Sequence, residues 1–199
     1  MHVRNTLISL LCLCTSASFT VGAAADTSDH HSKSASAPVS SKHHSQLFER
    51  RAASLQQWME QAYAANLGEL QKSTRVSPRE MADWVFHGPF NWKFDAIQSL
   101  QGSEALQLSV SDEFPGDRIL AFTTGTYTLL TPYFQSIHQD EISQHKTINQ
   151  SLLEIKTTLD ALKQNERDIS PNVTLSTADY EAFISILHEI EADAHTVQR

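Results

Sequence analysis

The chain has 199 residues, with 15 Lys and Arg against 23 Asp and Glu, a formal net charge of −8 and 2 cysteines. That acidity speaks against nucleic acid, which needs a basic surface, and against adhesion to anionic lipid, which needs the same. The length suits one domain with one sizeable core.

Residues Met1–Ala25 read as a secretory signal peptide. Arg4 supplies the positive start, Leu7 to Cys14 is a short apolar run, and Ala23-Ala24-Ala25 is a small-residue cleavage site. The apolar run is too short for a stable membrane span. Cys12 and Cys14 each follow a leucine rather than a small residue, so no lipid anchor is expected. Both cysteines fall in this segment, which leaves residues 26–199 without cysteine. An exported domain of this size without disulfides points to a Gram-negative periplasm or exterior rather than to animal secretion.

Residues 26–45 are rich in Ser and His, with Val39 the one large apolar residue, and are expected to form a disordered tail. The tail carries His30, His31, His43 and His44, candidate ligands for a weakly held Zn²⁺, Ni²⁺ or Cu²⁺, since neutral imidazole suits all three. The helical domain is placed at residues 46–199. Leu47 to Leu70 predicts a long amphipathic helix capped by Ser45, with Phe48, Leu55, Trp58, Met59 and Ala62 on one face. Gln71 to Val76 reads as a polar linker.

Ser77-Pro78-Arg79-Glu80 is the clearest local signal: a capping hydroxyl, a proline at the first helical position and a glutamate placed to complete a capping box. The helix it opens runs through Met81, Trp84, Val85 and Phe86 and stops at Gly88-Pro89. The aromatic stretch Phe90 to Leu100 predicts a second short helix stopped at Gly102, with its aromatics in the core. Leu106-Gln-Leu-Ser-Val alternates apolar and polar and reads as an extended connector.

Pro115-Gly116 is a turn signal, and Asp117 then falls in a first helical turn, where a carboxylate faces the positive end of the dipole. No charged residue occurs from Ile119 to Ser136. The apolar side chains here spread around the whole helical circumference, so this helix is expected at the centre of the fold, broken at its far end by Pro132. Its threonines dilute it too far for a membrane span. Gly125 costs roughly 1 kcal/mol against alanine in a helix interior, a cost that close approach by a neighbouring helix explains.

Ile142 to Leu162 predicts a second long amphipathic helix, with Ile148, Leu152, Ile155 and Leu159 in its stripe. Asn165 to Leu175 reads as a loop. Ser176 and Asp179 then form a capping box, opening a last helix with Tyr180, Phe183, Ile184, Leu187 and Ile190 on its apolar face. The fold class is therefore all-α: a helical bundle of about five helices around a buried central helix, preceded by the disordered tail.

Asp117-Arg118-Ile119-Leu120-Ala121-Phe122, followed by Gly125 and Leu129-Leu130 and preceded by Leu106 to Phe114, resembles the Asp-Arg-(Val/Ile)-x-Ala-(Leu/Phe)-x-x-Gly core of a poorly characterised family of exported Gram-negative bacterial proteins. The resemblance implies an exported, mostly helical protein and assigns no activity to any residue.

No phosphate-binding loop, nucleophile elbow, His-Glu-x-x-His or dinucleotide fingerprint occurs, and no catalytic residue is assigned. Asp112, Glu113 and Asp117 read as caps and dipole partners, with Arg118 as an ion-pair partner or helix anchor. His188, Glu191 and His195 on the last helix, beside Glu189 and Asp193, read as a solvated face, and His138 and His145 likewise. The sequence reading is a periplasmic, non-enzymatic interaction or binding module with an envelope partner. The alternative is an acid/base hydrolase of an envelope polymer using Glu113 and Asp117. A pocket with convergent carboxylates separates the second from the first, which calls for an exposed apolar groove.

Overall fold

A computed structural model describes residues 37–135, 141–164 and 173–196, and the described residues are helical and contain no strand. The seven helices are α1 (Ala37–Ala65), α2 (Leu67–Ser73), α3 (Pro78–His87), α4 (Gly102–Val110), α5 (Arg118–Gln135), α6 (Glu141–Gln164) and α7 (Thr177–Thr196), with one 3₁₀ turn at Asp95–Ile97. None of the described helices is long and apolar enough to cross a membrane.

The core forms where the apolar faces of α1, α5, α6 and α7 meet. Trp58 of α1, Phe122 of α5 and Phe183 of α7 pack ring to ring, with centroids 4.7–5.5 Å apart. The Trp58 indole N–H donates to the Asp179 carbonyl at 2.9 Å, so the buried ring keeps its polar atom satisfied. Ile148, Ile155, Leu159 and Leu162 on α6 and Phe183, Leu187 and Ile190 on α7 are buried, as their spacing predicts, while Leu152 is half-buried. Ile142 belongs to α6, but its side chain lies outside the described residues. α5 is central: residues 117–126 are buried without interruption.

Ser77 caps α3, its Oγ accepting from the Glu80 amide at 3.2 Å, but the Glu80 side chain does not return the bond, so the expected capping box is half formed. The box at Ser176 forms as read. Ser176 Oγ accepts from the Asp179 amide, and the Asp179 carboxylate accepts from the Ser176 amide, both at 3.1 Å.

Several expectations need correction. Helical backbone begins at Ala37, so residues 37–45 belong to α1 rather than to the tail, and Ser45 lies inside the helix. The predicted helix to Leu70 breaks at Asn66. Its side chain donates to the carbonyls of Ala62 and Thr174 and accepts from the Thr174 amide, tying the helix end to a segment 108 residues away. The chain then turns into α2, which reaches Ser73, inside the predicted linker.

The strand-like residues Leu106–Val110 are the second half of α4. Ala105, Leu106 and Ser109 are its buried residues, a helical spacing that packing against α5 selects over local alternation. Gly102 starts this helix instead of stopping an earlier one, and the stretch from Phe90 to Leu100 holds only the 3₁₀ turn. Pro132 lies within α5 and does not end it. It stands in the last turn, where losing one backbone donor costs little helix.

Candidate functional site

Two features share one side of α5: a buried polar cluster and an aromatic cleft that meets it at Ser73.

The cluster is built from the break at Asn66. Because α2 leaves the line of α1, Glu69 and Ser73 point at the start of α5. Asp117 caps α5: its Oδ1 accepts from the Leu120 amide at 2.9 Å, and its carbonyl accepts from the Ala121 amide. Its Oδ2 accepts from the Tyr63 hydroxyl at 2.7 Å and the Ser73 hydroxyl at 2.8 Å. Glu69 lies beside it, accepting from the Arg118 amide at 2.8 Å and from Lys72 Nζ at 2.5 Å. Asp117 is fully buried and Glu69 is 1 % exposed. Burial pushes the Asp117 carboxyl up to about 6; its three hydrogen bonds oppose that shift, and the neighbouring Glu69 charge adds to it. Burial, followed by the Asp117 charge, drives the Tyr63 hydroxyl well above its ordinary range.

The Arg118 guanidinium donates to the carbonyls of Ser109 at 2.9 Å and Phe114 at 3.1 Å. Ser109 is in the last turn of α4, so the buried cation satisfies a carbonyl at the negative end of that helix. Arg118 is thus a helix anchor.

The cleft, about 290 Å³, lies between the end of α2, α3 and the loop that follows α3. Met81 and Leu120 form its apolar floor, and Ser73 and Thr74 line one side. Trp84 and Phe90 line it while being 42 % and 44 % exposed. The loop also contributes Lys93, Phe94 and Asp95. It is held in shape by amide-to-carbonyl bonds such as Lys93 to Phe90 and Ser99 to Phe94, and by Gln101 donating to the Asn91 carbonyl. Asn91, Trp92, Gln98 and Ser99 all adopt positive φ, between 49° and 61°. Such conformations cost of order 1–3 kcal/mol each and persist only where surrounding structure imposes them. Here Trp92 stacks on Tyr127 of α5 at 3.8 Å, which turns its ring inward and leaves Lys93 exposed. Gly88 is required at the loop's start, since a Cβ there would stand 2.2 Å from the Trp84 carbonyl oxygen and 2.9 Å from the Phe90 ring.

The predicted site residues fall in different places. Asp117, Arg118 and Gly125 lie on α5, or at its cap, in the interior. Asp112 and Glu113 are exposed and do not join Asp117, so the two carboxylates of the hydrolase alternative do not converge. His188 and Glu191 line a separate groove between α6 and α7. Asp193, read as solvated, accepts from Arg51 of α1 at 2.6 Å, and Glu189 pairs with the same guanidinium. His43 and His44 are in the backbone of α1, with side chains outside the described residues; His30, His31 and His138 lie wholly outside them. Among the described residues no group of three or more His, Cys, Asp or Glu is placed to hold a metal ion.

Sequence reasoning missed Glu69, Tyr63 and Ser73, because nothing local distinguishes a buried glutamate on an amphipathic helix from a solvated one. It also assigned the aromatics of Phe90 to Leu100 to the core and counted Trp84 in the apolar run of α3. Trp92 and Phe94 do pack against the core, but Trp84 and Phe90 are exposed. A helical wheel carries the Trp84 signal: it falls roughly 100° from the centre of the Met81, Ala82 and Val85 arc. No family model matches the chain, and neither does any curated protein or solved structure.

Proposed function

We propose that the protein is an exported, non-enzymatic binding module of a Gram-negative envelope and that the cleft beside α3 is its binding surface. One observation carries this reading. Among the described residues four large apolar side chains are exposed, and two of them, Trp84 and Phe90, line the same cleft. Solvated aromatics gathered in one concavity are the usual anchor of an interface. The two sequence-predicted carboxylates give no comparable support to hydrolysis, since Glu113 is exposed and Asp117 is fully buried. Export rests on the signal-like residues 1–25 and on the resemblance around Asp117-Arg118.

The binding surface is tested by affinity capture from envelope extract with the wild-type chain and a Trp84→Glu/Phe90→Glu variant of unchanged circular dichroism. A protein retained by the first and lost by the second is expected; identical profiles overturn the assignment. Export is tested by intact-mass measurement on protein from the periplasmic fraction. The chain is expected to begin at Asp26 with no lipid, and an intact Met1 or an acylated cysteine defeats that expectation.

A further inference from the structure

The cleft that serves as the binding surface in this reading also carries charge. Lys93 and Asp95, two residues apart on the loop, both line it and are both exposed. Among the described residues neither side chain has an ion-pair or hydrogen-bond partner, and the two do not pair with each other. Lys72, at the end of α2, is by contrast paired with Glu69. One cation and one anion are therefore left open beside an aromatic-walled concavity.

We propose that the cleft binds a short extended peptide segment in which an aromatic side chain is flanked by one basic and one acidic residue. The aromatic side chain enters between Trp84 and Phe90 onto the floor formed by Met81 and Leu120. The acidic flank meets Lys93 and the basic flank meets Asp95. In an extended segment the two residues flanking a central one lie roughly 6.5–7 Å apart along the strand. Lys93 and Asp95 have the same separation in sequence, with extended backbone at Phe94 between them, which matches the spacing of the two flanks. The cleft volume of about 290 Å³ is at the low end of small-ligand sites, which suits one anchored side chain rather than a long oligomer. Aromatic contact supplies the main affinity, and the two exposed ion pairs supply a modest selectivity that salt screens.

The test uses end-blocked tripeptides, Lys-Phe-Glu and Glu-Phe-Lys, against neutral Gln-Phe-Gln, with chitotriose as a neutral saccharide, followed by amide and indole resonances of the full chain. One of the charged peptides is expected to shift the Trp84 indole and the residue 90–96 amides and to bind roughly two- to fivefold more tightly than Gln-Phe-Gln per pair formed. A Lys93→Gln/Asp95→Asn variant should lose that advantage while binding Gln-Phe-Gln as before, and Trp84→Ala should weaken all three peptides. Equal affinity of charged and neutral peptides for the wild type overturns the amphoteric ligand and leaves the binding surface standing. Saturation of the same resonances by chitotriose alone overturns the peptide. If no probe shifts cleft resonances, or Trp84→Ala changes nothing, both the ligand and the binding surface fail.

Discussion

Gly125→Ala is expected to lower the thermal midpoint by roughly 3–10 °C, and Gly125→Leu by more. The reason is the close approach of α4 to α5 at this glycine. A Cβ built on Gly125 would lie 2.8 Å from both the amide nitrogen and Cγ of Leu106, and 2.9 Å from the Gly102 carbonyl oxygen. Two of those three atoms are backbone of α4, which cannot swing aside as a side-chain tip does. Forcing extra volume into a packed core typically costs about 1–3 kcal/mol. Alanine recovers up to roughly 1 kcal/mol of helix propensity in exposed helices, but here the new methyl has no room. For a chain of this size 1 kcal/mol corresponds to about 2–4 °C. Urea denaturation should show a lower midpoint with an unchanged slope. A Gly125→Ala midpoint equal to or above the wild-type value would remove Gly125 as the reason α4 and α5 lie so close.

The same contact shows where the sequence was legible. A glycine in a charge-free helix announces close approach, and the approach is there, but its partner was misread. Leu106 to Val110 looked extended because five residues of alternation satisfy a strand, while the glycine that selects the helix stands about twenty positions on. The Ser77 and Ser176 caps were legible because all their partners lie within three residues. The stripes of α6 and α7 were legible because a buried face repeats its own spacing. The break at Asn66 was not, since its partner is Thr174, and Glu69 was not, since its acceptor role depends on the Arg118 amide at the start of another helix. The polar cluster is therefore a property of tertiary contact. The aromatic cleft is intermediate: the rings were visible in the sequence, but which of them face water depends on four left-handed residues that carry no glycine signal.

Asp117 sets the second large effect, a stability that falls as pH rises. Burial holds its carboxyl at about 6, against 3.8 for the ordinary side chain. Between those values the folded protein retains a proton that the unfolded chain has released. The group's stabilising contribution is thus complete below the unfolded value and is lost as pH climbs through the folded one. The full shift corresponds to about 3 kcal/mol at 1.36 kcal/mol per unit, of which roughly 2 kcal/mol falls between pH 4 and pH 7. Other carboxylates change overall stability over the same range, so the comparison that isolates Asp117 is with Asp117→Asn. Asparagine can still cap the Leu120 amide with its oxygen, while its NH2 takes the place of Oδ2 and donates to the Tyr63 or Ser73 hydroxyl, and it carries no titrating proton. The stability difference, wild type minus variant, from urea unfolding is expected to fall by roughly 2 kcal/mol from pH 4 to pH 7, whatever its value at either end. In wild type, ionisation leaves a second buried negative charge beside Glu69, and among the described residues Lys72 is the only side-chain cation hydrogen-bonded to the pair. A Glu69→Gln background removes one of those charges and should shrink the pH-dependent part. A difference that stays flat across this range would mean that Asp117 does not exchange its proton there. Its three hydrogen bonds would then outweigh its burial.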